Sequence, residues 1–344
     1  MQQMQGGSLI GKGAYGCVFR PTLLCKGDGK GARPYKSTGE LTKVSDTRDA
    51  EREIEMGAEV KKIPLWKNYF SPVLESCGAA GVGQQTDADV GDCDIMQDKP
   101  ASKLSLLSMQ FSGESIVQYD LGKIDTVEKF WKFGKHLLEA VALLTLNGLI
   151  HRDMHRGNVL VDKYGIPRLI DFGISLRYND PMDQVKDEVL HEYDPHYTQE
   201  PPEVNWWVLD APEKKVGDLL DKKPSAANAR STLGVTMKEQ EEGAEELFTQ
   251  SRSFKERNLA EFWRLYWSKY DAWSVGGVLT AVLKNIQVGP HPIKVTPQMK
   301  TVMRGLLEVN PNKRWDAVRA LAEWDAENLI IARYGARWLA KVRK

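Results

Sequence analysis

The chain of 344 residues is poor in cysteine, with only four, and these lie far apart without any Cys-x-x-Cys spacing. This scarcity argues against a zinc site and against a disulfide framework. It predicts reduced thiols and a cytoplasmic location. The cysteines are Cys17, Cys25, Cys77 and Cys93.

The chain also lacks an excess of charge of either sign, since 47 basic residues face 47 acidic residues. A nucleic-acid-binding surface shows as a basic excess, so no nucleic-acid partner is predicted. No apolar run approaches the roughly 18 residues that a membrane span needs. The first 13 residues lack the charged and apolar regions of a signal peptide. These absences leave the oligomeric state open.

Glycine is present in a distinctive pattern at residues 8–19, SLIGKGAYGCVF, which reads as strand, turn and strand. Dinucleotide-binding folds use the same GxGxxG spacing, but a helix follows their glycines. Here residues 17–19 are strand formers and Pro21 follows soon after. A glycine turn between strands lets backbone N–H groups approach phosphates closely. An ordinary glycine-rich hairpin is the alternative. The glycines are Gly11, Gly13 and Gly16.

The hydrophobic pattern changes along the chain from strand-like to helical. Strand signals with a helix at roughly 47–62 occupy about the first 110 residues, and 78–102 reads as a mobile surface excursion. Residues 127–146 form an amphipathic helical pattern, 164–176 read as a hairpin-like pair, and mostly helical segments follow. The order predicts an α+β fold of two lobes, 1–113 and 114–344, with any site at their junction. A polar insertion is predicted at about 204–262.

The stretch HRDMHRGN at 151–158 places charged and amide side chains between two apolar runs. By itself it could be a charged turn. However, it is followed by DFG at 171–173, PPE at 201–203, DAWSVGG at 271–277 and NPNKR at 310–314. With the glycine turn, this ordered set resembles the eukaryotic-type protein kinase superfamily from Gly11 to Arg314. In its insertions, in His155 and in the PPE motif, the chain resembles serine/threonine kinases encoded by large DNA viruses. This resemblance implies the host cytoplasm or the virion as the location.

The resemblance implies a bilobal kinase fold, ATP and Mg²⁺ (or Mn²⁺) as cofactors, and protein substrates phosphorylated on serine or threonine. Lys43 would hold the α- and β-phosphates, with Lys36 as a competitor, and Glu53 would pair with Lys43. Met109 would line the back of the adenine pocket, and residues 110–113 would form the hinge that binds the base. The implied nucleotide-binding residues are Gly11, Gly13, Gly16, Val18, Lys43, Glu53, Met109, Gln110 and Phe111.

For catalysis, the resemblance assigns Asp153 to the proton of the acceptor hydroxyl. Asn158 and Asp171 would hold the metal, because oxygen ligands suit Mg²⁺. His155 stands where serine/threonine kinases usually carry lysine. Small-molecule phosphotransferases also place histidine there, and a histidine can still donate to the γ-phosphate.

Further residues are implied in structural or regulatory roles: Arg152, Phe172, Gly173, Glu203, Asp271 and Arg314. Glu203 of PPE, in preference to the DAPE at 210–213, would pair with Arg314, and Asp271 would brace the catalytic loop. Arg152 would bind a negative group on the activation segment. His196 replaces the family's usual threonine there, so we expect constitutive activity with a carboxylate on Arg152. The candidates for phosphorylation in this segment are Tyr193, Tyr197 and Thr198. The carboxylates that could bind Arg152 without modification are Asp180, Asp183, Asp187, Glu188, Glu192 and Asp194.

Two other functions stay open from the sequence. A pseudokinase scaffold usually lacks the strand lysine, the catalytic aspartate or the metal aspartate, and this chain has all three. A small-molecule phosphotransferase is favoured by His155, whereas DFG, PPE and DAWSVGG favour a protein kinase.

Overall fold

The computed structural model describes residues 7–13, 16–27, 31–35, 39–85, 89–190, 197, 199–209 and 215–342. The chain divides into two compact units. The first comprises Met1–Lys62, Phe70–Ser112 and Ile170–Gly173, and the second Ile63–Tyr69, Gly113–Leu169 and Ile174–Lys344. The first is rich in strands and the second is mainly helical, which confirms the predicted α+β class. No helix in the described ranges has the length and apolar character to cross a membrane.

The first unit is built on an antiparallel sheet of five strands in the order β1-β2-β5-β7-β6. Its strands are β1 (Ser8–Gly13), β2 (Gly16–Arg20), β3 (Cys25–Lys26), β4 (Ala32–Arg33), β5 (Leu41–Asp46), β6 (Glu75–Gly78) and β7 (Leu104–Met109). Its helices are α1 (Thr47–Val60) and α3 (Asp94–Asp98), with 3₁₀ turns at Val82–Gln84, Val90–Asp92 and Ala101–Lys103. Asp46 begins α1 because its carboxylate accepts from the amide of Arg48 at 3.0 Å.

The cysteines of the first unit form two disulfides, so the prediction of reduced thiols was wrong. Cys17 of β2 bonds Cys93, just before α3, and Cys25 of β3 bonds Cys77 of β6. Spacing along the chain missed these bonds because the fold brings the α-carbons of each pair to 6.0 and 5.7 Å. The predicted surface excursion is also corrected, since Cys93 and neighbouring apolar residues lie in the core beside Phe19.

The second unit contains most of the helices and two short sheet fragments. Its helices are α2 (Trp66–Tyr69), α4 (Val127–Leu146), α5 (Met182–Val189), α6 (Pro202–Val208), α7 (Val216–Lys222), α8 (Pro224–Leu233), α9 (Met237–Gln250), α10 (Arg252–Lys255), α11 (Leu259–Val288), α12 (Pro297–Leu306), α13 (Ala317–Trp324) and α14 (Ala336–Val342), with a 3₁₀ turn at Leu121–Lys123 and a π-helical turn at Ile331–Gly335. Its strands are β8 (Glu114–Ser115), β9 (Leu149–Ile150), β10 (Val159–Val161), β11 (Pro167–Leu169) and β12 (Leu176–Arg177). Helix α4 has the bounds that its apolar periodicity predicts.

The hairpin predicted at 164–176 was wrong. Strand β11 pairs with β10, and β12 pairs with β9, so the two are not partners. Apolar alternation identifies a strand but does not identify its partner. The residues between β11 and β12 include Asp171, Phe172 and Gly173, which belong to the first unit.

The predicted insertion is helical, with α7 to α10 between α6 and the long α11. Helix α8 lies close against α11 at Gly277, where an added β-carbon would collide with the hydroxyl of Ser225. This close approach anchors the insertion to the core of the second unit.

Candidate active site

The glycine turn joins β1 to β2, with Gly13 paired to Gly16 in the register. Gly16 has φ +150°, and a β-carbon there would collide with the carbonyl oxygen of Val44 on β5. At Gly13, in contrast, an added β-carbon would meet no atom within 4 Å among the residues described. Packing therefore requires glycine at Gly16, whereas Gly13 leaves open space beside the backbone.

Lys43 lies on β5 between β2 and β7, where it pairs with Val18 on one side and Leu107 on the other. Its ammonium is 2.9 Å from Oε2 of Glu53 on α1 and 2.8 Å from Oδ2 of Asp171. One cation thus contacts two carboxylates, so the cluster carries a surplus negative charge. The sequence predicted the contact with Glu53.

Burial and charge act in opposite directions within this cluster. Burial raises the pKa of Glu53 to about 6, although the charge of Lys43 opposes the shift. Burial by itself would lower the pKa of Lys43, but the charges of Glu53 and Asp171 outweigh it and raise that pKa. The charge of Lys43 therefore favours the ionised form of Glu53 against the effect of burial.

Asp171 has a left-handed backbone with φ +63°, which is unusual for a residue with a side chain. The next residue, Phe172, is buried and packs edge-on against Phe70 with ring centroids 5.9 Å apart. Burial of Phe172 offsets the cost of the strained backbone, which aims the carboxylate at Lys43.

The predicted hinge begins after β7, where Met109 is buried opposite Leu41. The carbonyl of Gln110 accepts from the hydroxyl of Ser71 at 3.2 Å, and the amide of Phe111 donates to Oε2 of Glu40 at 3.1 Å. Two of the backbone groups predicted to meet the base are thus engaged by side chains of the first unit. Their contact with a nucleotide stays a prediction.

The predicted catalytic loop of the second unit holds Asp153 through the side-chain amide of Asn158, which donates to Oδ2 at 2.8 Å and to the carbonyl of Asp153 at 3.0 Å. His155 accepts from the amide of Gly157 on Nδ1 at 3.0 Å. A neutral imidazole with an accepting Nδ1 carries its proton on Nε2. That nitrogen lies 3.8 Å from Oδ1 of Asp153, so it can donate to a group beside the carboxylate.

Asp271 on α11 holds the start of this loop through hydrogen bonds to its backbone. Its carboxylate accepts from the backbone amides of His151 at 2.6 Å and Arg152 at 3.0 Å. Arg152 has φ +68°, so the two amides hold a strained turn in place. Burial raises the pKa of Asp271, and these amides and the nearby cationic side chains oppose the shift.

Among the acidic residues of this segment that the structure describes, Glu188 forms an ion pair with Arg152. The guanidinium of Arg152 donates to Oε2 of Glu188 at 3.1 Å, to its carbonyl, and to the carbonyl of Ile174 at 2.9 Å. The carbonyl of Glu188 belongs to the last turn of α5, where the helix dipole is negative. Asp180 instead pairs with Arg177 at 3.5 Å. Tyr193, Thr198, Glu192, Asp194 and His196 lie outside the described residues.

Glu203 and Arg314 form a two-pronged ion pair, with both oxygen–nitrogen distances at 2.7 Å. The side chains are 2% and 0% exposed, so the pair is dry. The sequence predicted this pairing from PPE, and the alternative DAPE at 210–213 lies outside the described residues, as does Lys36.

One contact with the predicted catalytic aspartate was missed. The side-chain amide of Gln199 donates to Oδ1 of Asp153, and the carbonyl of Gln199 accepts from the hydroxyl of Ser274 at 2.8 Å. Gln199 is buried although it follows a polar, acidic segment. Nothing in its sequence context distinguishes it, because the contact joins residues 46 positions apart.

Within the described ranges, no cluster of three or more histidine, cysteine, aspartate or glutamate residues is arranged to hold a metal ion. Mg²⁺ at nucleotide sites typically binds one or two carboxylates together with substrate phosphates and water. The carboxylate of Asp171 and the amide oxygen of Asn158 are donors of that kind.

Comparison with known proteins gives relatives that match about half of this chain. A probable cyclin-dependent kinase 9 of Caenorhabditis elegans is 29% identical over 167 residues, 48% of this chain and 31% of the relative. Mitogen-activated protein kinase kinase kinase A of Dictyostelium discoideum is 28% identical over 187 residues, 53% of this chain and 17% of the relative. These relatives are protein kinases.

Mitogen-activated protein kinase kinase kinase 3 of Arabidopsis thaliana is 27% identical over 172 residues, 49% of this chain and 23% of the relative. The chain spans less than a third of the length of each of these relatives. No protein-family model matches the chain. The similarity supports a place in the protein kinase superfamily.

Proposed function

We propose that the protein is an ATP-dependent protein kinase that transfers the γ-phosphoryl group of Mg-ATP to serine or threonine hydroxyls. The observation that carries the proposal is the contact of Lys43 with both Glu53 and Asp171 at 2.9 and 2.8 Å. A strand lysine that is held by a helix glutamate and lies beside a metal-binding aspartate is the arrangement that positions ATP phosphates in kinases. The names of the relatives agree with this chemistry.

ATP with its metal supplies the phosphoryl group and neutralises the charge that develops during transfer. Lys43 binds the phosphates, while Glu53 prevents its side chain from swinging away. Asp153 orients the acceptor hydroxyl and takes its proton, and His155 donates from Nε2 to a phosphate oxygen. Asn158 keeps the carboxylate of Asp153 in the orientation that this proton transfer needs.

Asp171 and Asn158 are the proposed metal ligands. The side chain of Asp171 is 29% exposed, and its carboxylate is an oxygen donor of the kind that Mg²⁺ prefers. We propose that Mg²⁺, or Mn²⁺ in its place, binds with the nucleotide, because phosphates complete the oxygen ligands that the side chains begin.

A small-molecule phosphotransferase is the second candidate, and His155 is the observation that favours it. A pseudokinase scaffold is the third, but Lys43, Asp153 and Asp171 are all present. Transfer from radiolabelled ATP to casein, histone and small alcohols separates the three. The proposed function predicts labelled serine or threonine in protein, and labelled alcohol or no transfer would overturn it.

Asp153→Asn tests the catalytic loop in the same assay. Loss of the base and orienting carboxylate should reduce transfer by at least about 100-fold while nucleotide still binds. Asp187→Asn is the matched control, because Asp187 is an exposed acid on α5. Equal transfer by the Asp153→Asn variant and the wild type would remove Asp153 from the mechanism.

The division into lobes 1–113 and 114–344, the viral resemblance and the cytoplasmic location stay part of the proposal. The two disulfides count against the cytoplasmic location, because such bonds persist mainly in oxidising compartments. Alkylation of thiols in the native host cell before lysis, followed by mass spectrometry, tests it. Alkylated cysteines would support the cytoplasm, and protected cysteines would contradict it.

A further inference from the structure

Lys223 is a buried lysine that the proposed mechanism does not use. It lies between α7 and α8 in the insertion, and only 2% of its surface is exposed. Its neighbour Lys222, at the end of α7, is exposed. Lysine is seldom fully buried without a charge partner, so this position requires an explanation.

The partners of Lys223 lie in the segment just before α6. Its ammonium is 3.5 Å from the carbonyl of Tyr197. Burial lowers the pKa of Lys223 to about 8, and the charges of Glu200 and then Glu203 oppose that shift. Glu203 already has a two-pronged partner in Arg314. Of the two carboxylates, Glu200 has the larger electrostatic effect on Lys223, and Glu200 is 1% exposed.

Glu200 is held from two other sides. The hydroxyl of Tyr270 on α11 donates to its Oε1 at 3.1 Å, and the amide of Asn205 on α6 donates to its Oε2. A buried carboxylate of this kind is stable when it is paired and hydrogen-bonded. The positive charge of Lys223 in the insertion interacts favourably with this carboxylate.

The residue before Glu200 is Gln199, whose amide contacts the carboxylate of Asp153. A shift of the backbone at Glu200 would move Gln199 and so release Oδ1 of Asp153. The ammonium of Lys223 contacts the carbonyl of Tyr197, two positions before Gln199, and it interacts electrostatically with Glu200, the residue after Gln199.

The insertion is itself well anchored, so it can act as a support. Arg230 of α8 donates to Oε1 of Gln240 on α9 at 2.7 Å and to Asp221 of α7 at 2.8 Å. Helix α8 also approaches α11 at Gly277. Three helices of the insertion are thus tied to each other, and one of them to the core.

We propose that the insertion is an internal support for the acceptor side of the site, and that Lys223 is a positioning residue that acts on Asp153 through Gln199. The inference rests on the proposed kinase function. It assigns the insertion to alignment of the base, so loss of Lys223 should affect transfer to the acceptor and leave nucleotide binding intact.

The first test compares Lys223→Met, Lys223→Arg and the neighbouring control Lys222→Met in steady-state transfer from ATP to casein. We expect Lys223→Met to lower kcat by about tenfold to 100-fold, the range for small misplacements of reacting groups, with the KM for ATP unchanged. Lys223→Arg should recover part of the loss because it keeps the charge, and Lys222→Met should equal the wild type. Wild-type kcat in Lys223→Met would overturn the proposal, and so would an equal rise in the KM for ATP.

The second test is a double-mutant cycle with Gln199→Ala. If Lys223 acts through Gln199, the double variant should be no slower than the slower single variant. Independent losses that multiply would show that Lys223 acts by another route and would overturn the proposal. Using Lys223→Arg for a second cycle keeps the test decisive if Lys223→Met does not fold.

Amide hydrogen exchange separates this inference from the proposed function, because it needs no activity. Lys223→Met should speed exchange at Gln199 and Glu200, whereas Lys222→Met should not. If the wild type labels no protein, the kinase proposal fails while the exchange result still reports on the support. Unchanged exchange in Lys223→Met would overturn the support itself.

Discussion

The Lys43 cluster of the first unit and the Glu203–Arg314 pair of the second unit are both buried ion pairs with contacts below 3 Å. They differ in charge balance and in exposure. Lys43 faces two carboxylates, and the side chain of Asp171 is 29% exposed. Arg314 faces one carboxylate with both of its terminal nitrogens, and neither partner is more than 2% exposed.

The difference separates a site that can bind a further cation from a purely structural ion pair, or strut. A surplus carboxylate that solvent can reach has electrostatic capacity for another cation. A balanced pair with matched hydrogen bonds has none, and removal of one partner leaves an uncompensated buried charge. We therefore expect changes at Asp171 to affect chemistry, and changes at Arg314 to affect folding.

The largest effect is expected for Asp171→Asn. Loss of the carboxylate should abolish Mg-ATP turnover, because the main metal ligand is gone. Stability should be unchanged or higher, since Lys43 then faces Glu53 alone. Phosphoryl transfer and thermal unfolding measure the two effects. Unchanged turnover would refute the metal assignment, and a large drop in Tm would erase the contrast with Arg314.

Arg314→Met should lower the free energy of unfolding by about 3–5 kcal/mol, as for other broken buried pairs. Glu203 would remain buried without its cation. Urea unfolding measures the loss of free energy of unfolding. The activity per folded molecule should stay close to that of the wild type. The neighbouring Lys313→Met, at an exposed position, is the control and should change stability little.

Glu53→Gln should sharpen the contrast within the Lys43 cluster. The pKa of Glu53 is raised to about 6 by burial, so its ionisation opposes folding. The protonated side chain of Glu53 contributes stability below its ordinary pKa of 4.5, and this contribution is lost as the pH rises through about 6. Stability of Glu53→Gln should therefore fall less than that of the wild type between pH 5 and 7, values that bracket the folded pKa of about 6.

Activity should move the other way in the same variant. Without the carboxylate that holds Lys43, transfer at neutral pH should fall by about tenfold, in line with a small misplacement of a phosphate-binding group. Chemical denaturation and transfer assays across this pH range test both parts. A variant that loses stability at neutral pH while keeping full activity would show that Glu53 is a strut like Glu203.

Glu188→Gln is expected to have the smallest effect, a loss of a few-fold in transfer. The carbonyl of Glu188 still meets Arg152, so only the charged half of the contact is lost. Asp187→Asn on the exposed face of α5 should have no effect.

Phosphatase-treated wild type should keep most of its activity, because Glu188 already supplies the negative charge. An inactive treated sample that recovers on phosphorylation of Tyr197 or Thr198 would contradict this.

The fold class and much of the candidate site could be predicted because the signals are local. The apolar period of α4 lies within its own 20 residues, and the spacing from Asp153 to Asn158 lies within one loop. The pairings of Glu53 with Lys43 and of Glu203 with Arg314 followed from a resemblance carried by short motifs. Their side chains meet as that resemblance implies.

Other features depend on residues that only folding brings together. Sequence spacing did not show that Cys17 meets Cys93, or that β11 and β12 pair with different strands. It left the partner of Arg152 open among many acids. In the part of the chain that the structure describes, the side chain and the carbonyl of Glu188 on α5 contact the same guanidinium.

Residue types and short spacings specify which groups are able to do phosphoryl-transfer chemistry, since those groups must sit on one loop or one strand. The proposed supports of that chemistry, Gln199 at Asp153 and Lys223 at the carbonyl of Tyr197, come from elements far apart in the chain. Their positions depend on how helices pack and which carboxylates become buried. These contacts depend on the packing of the folded core, so local sequence patterns do not identify the partners.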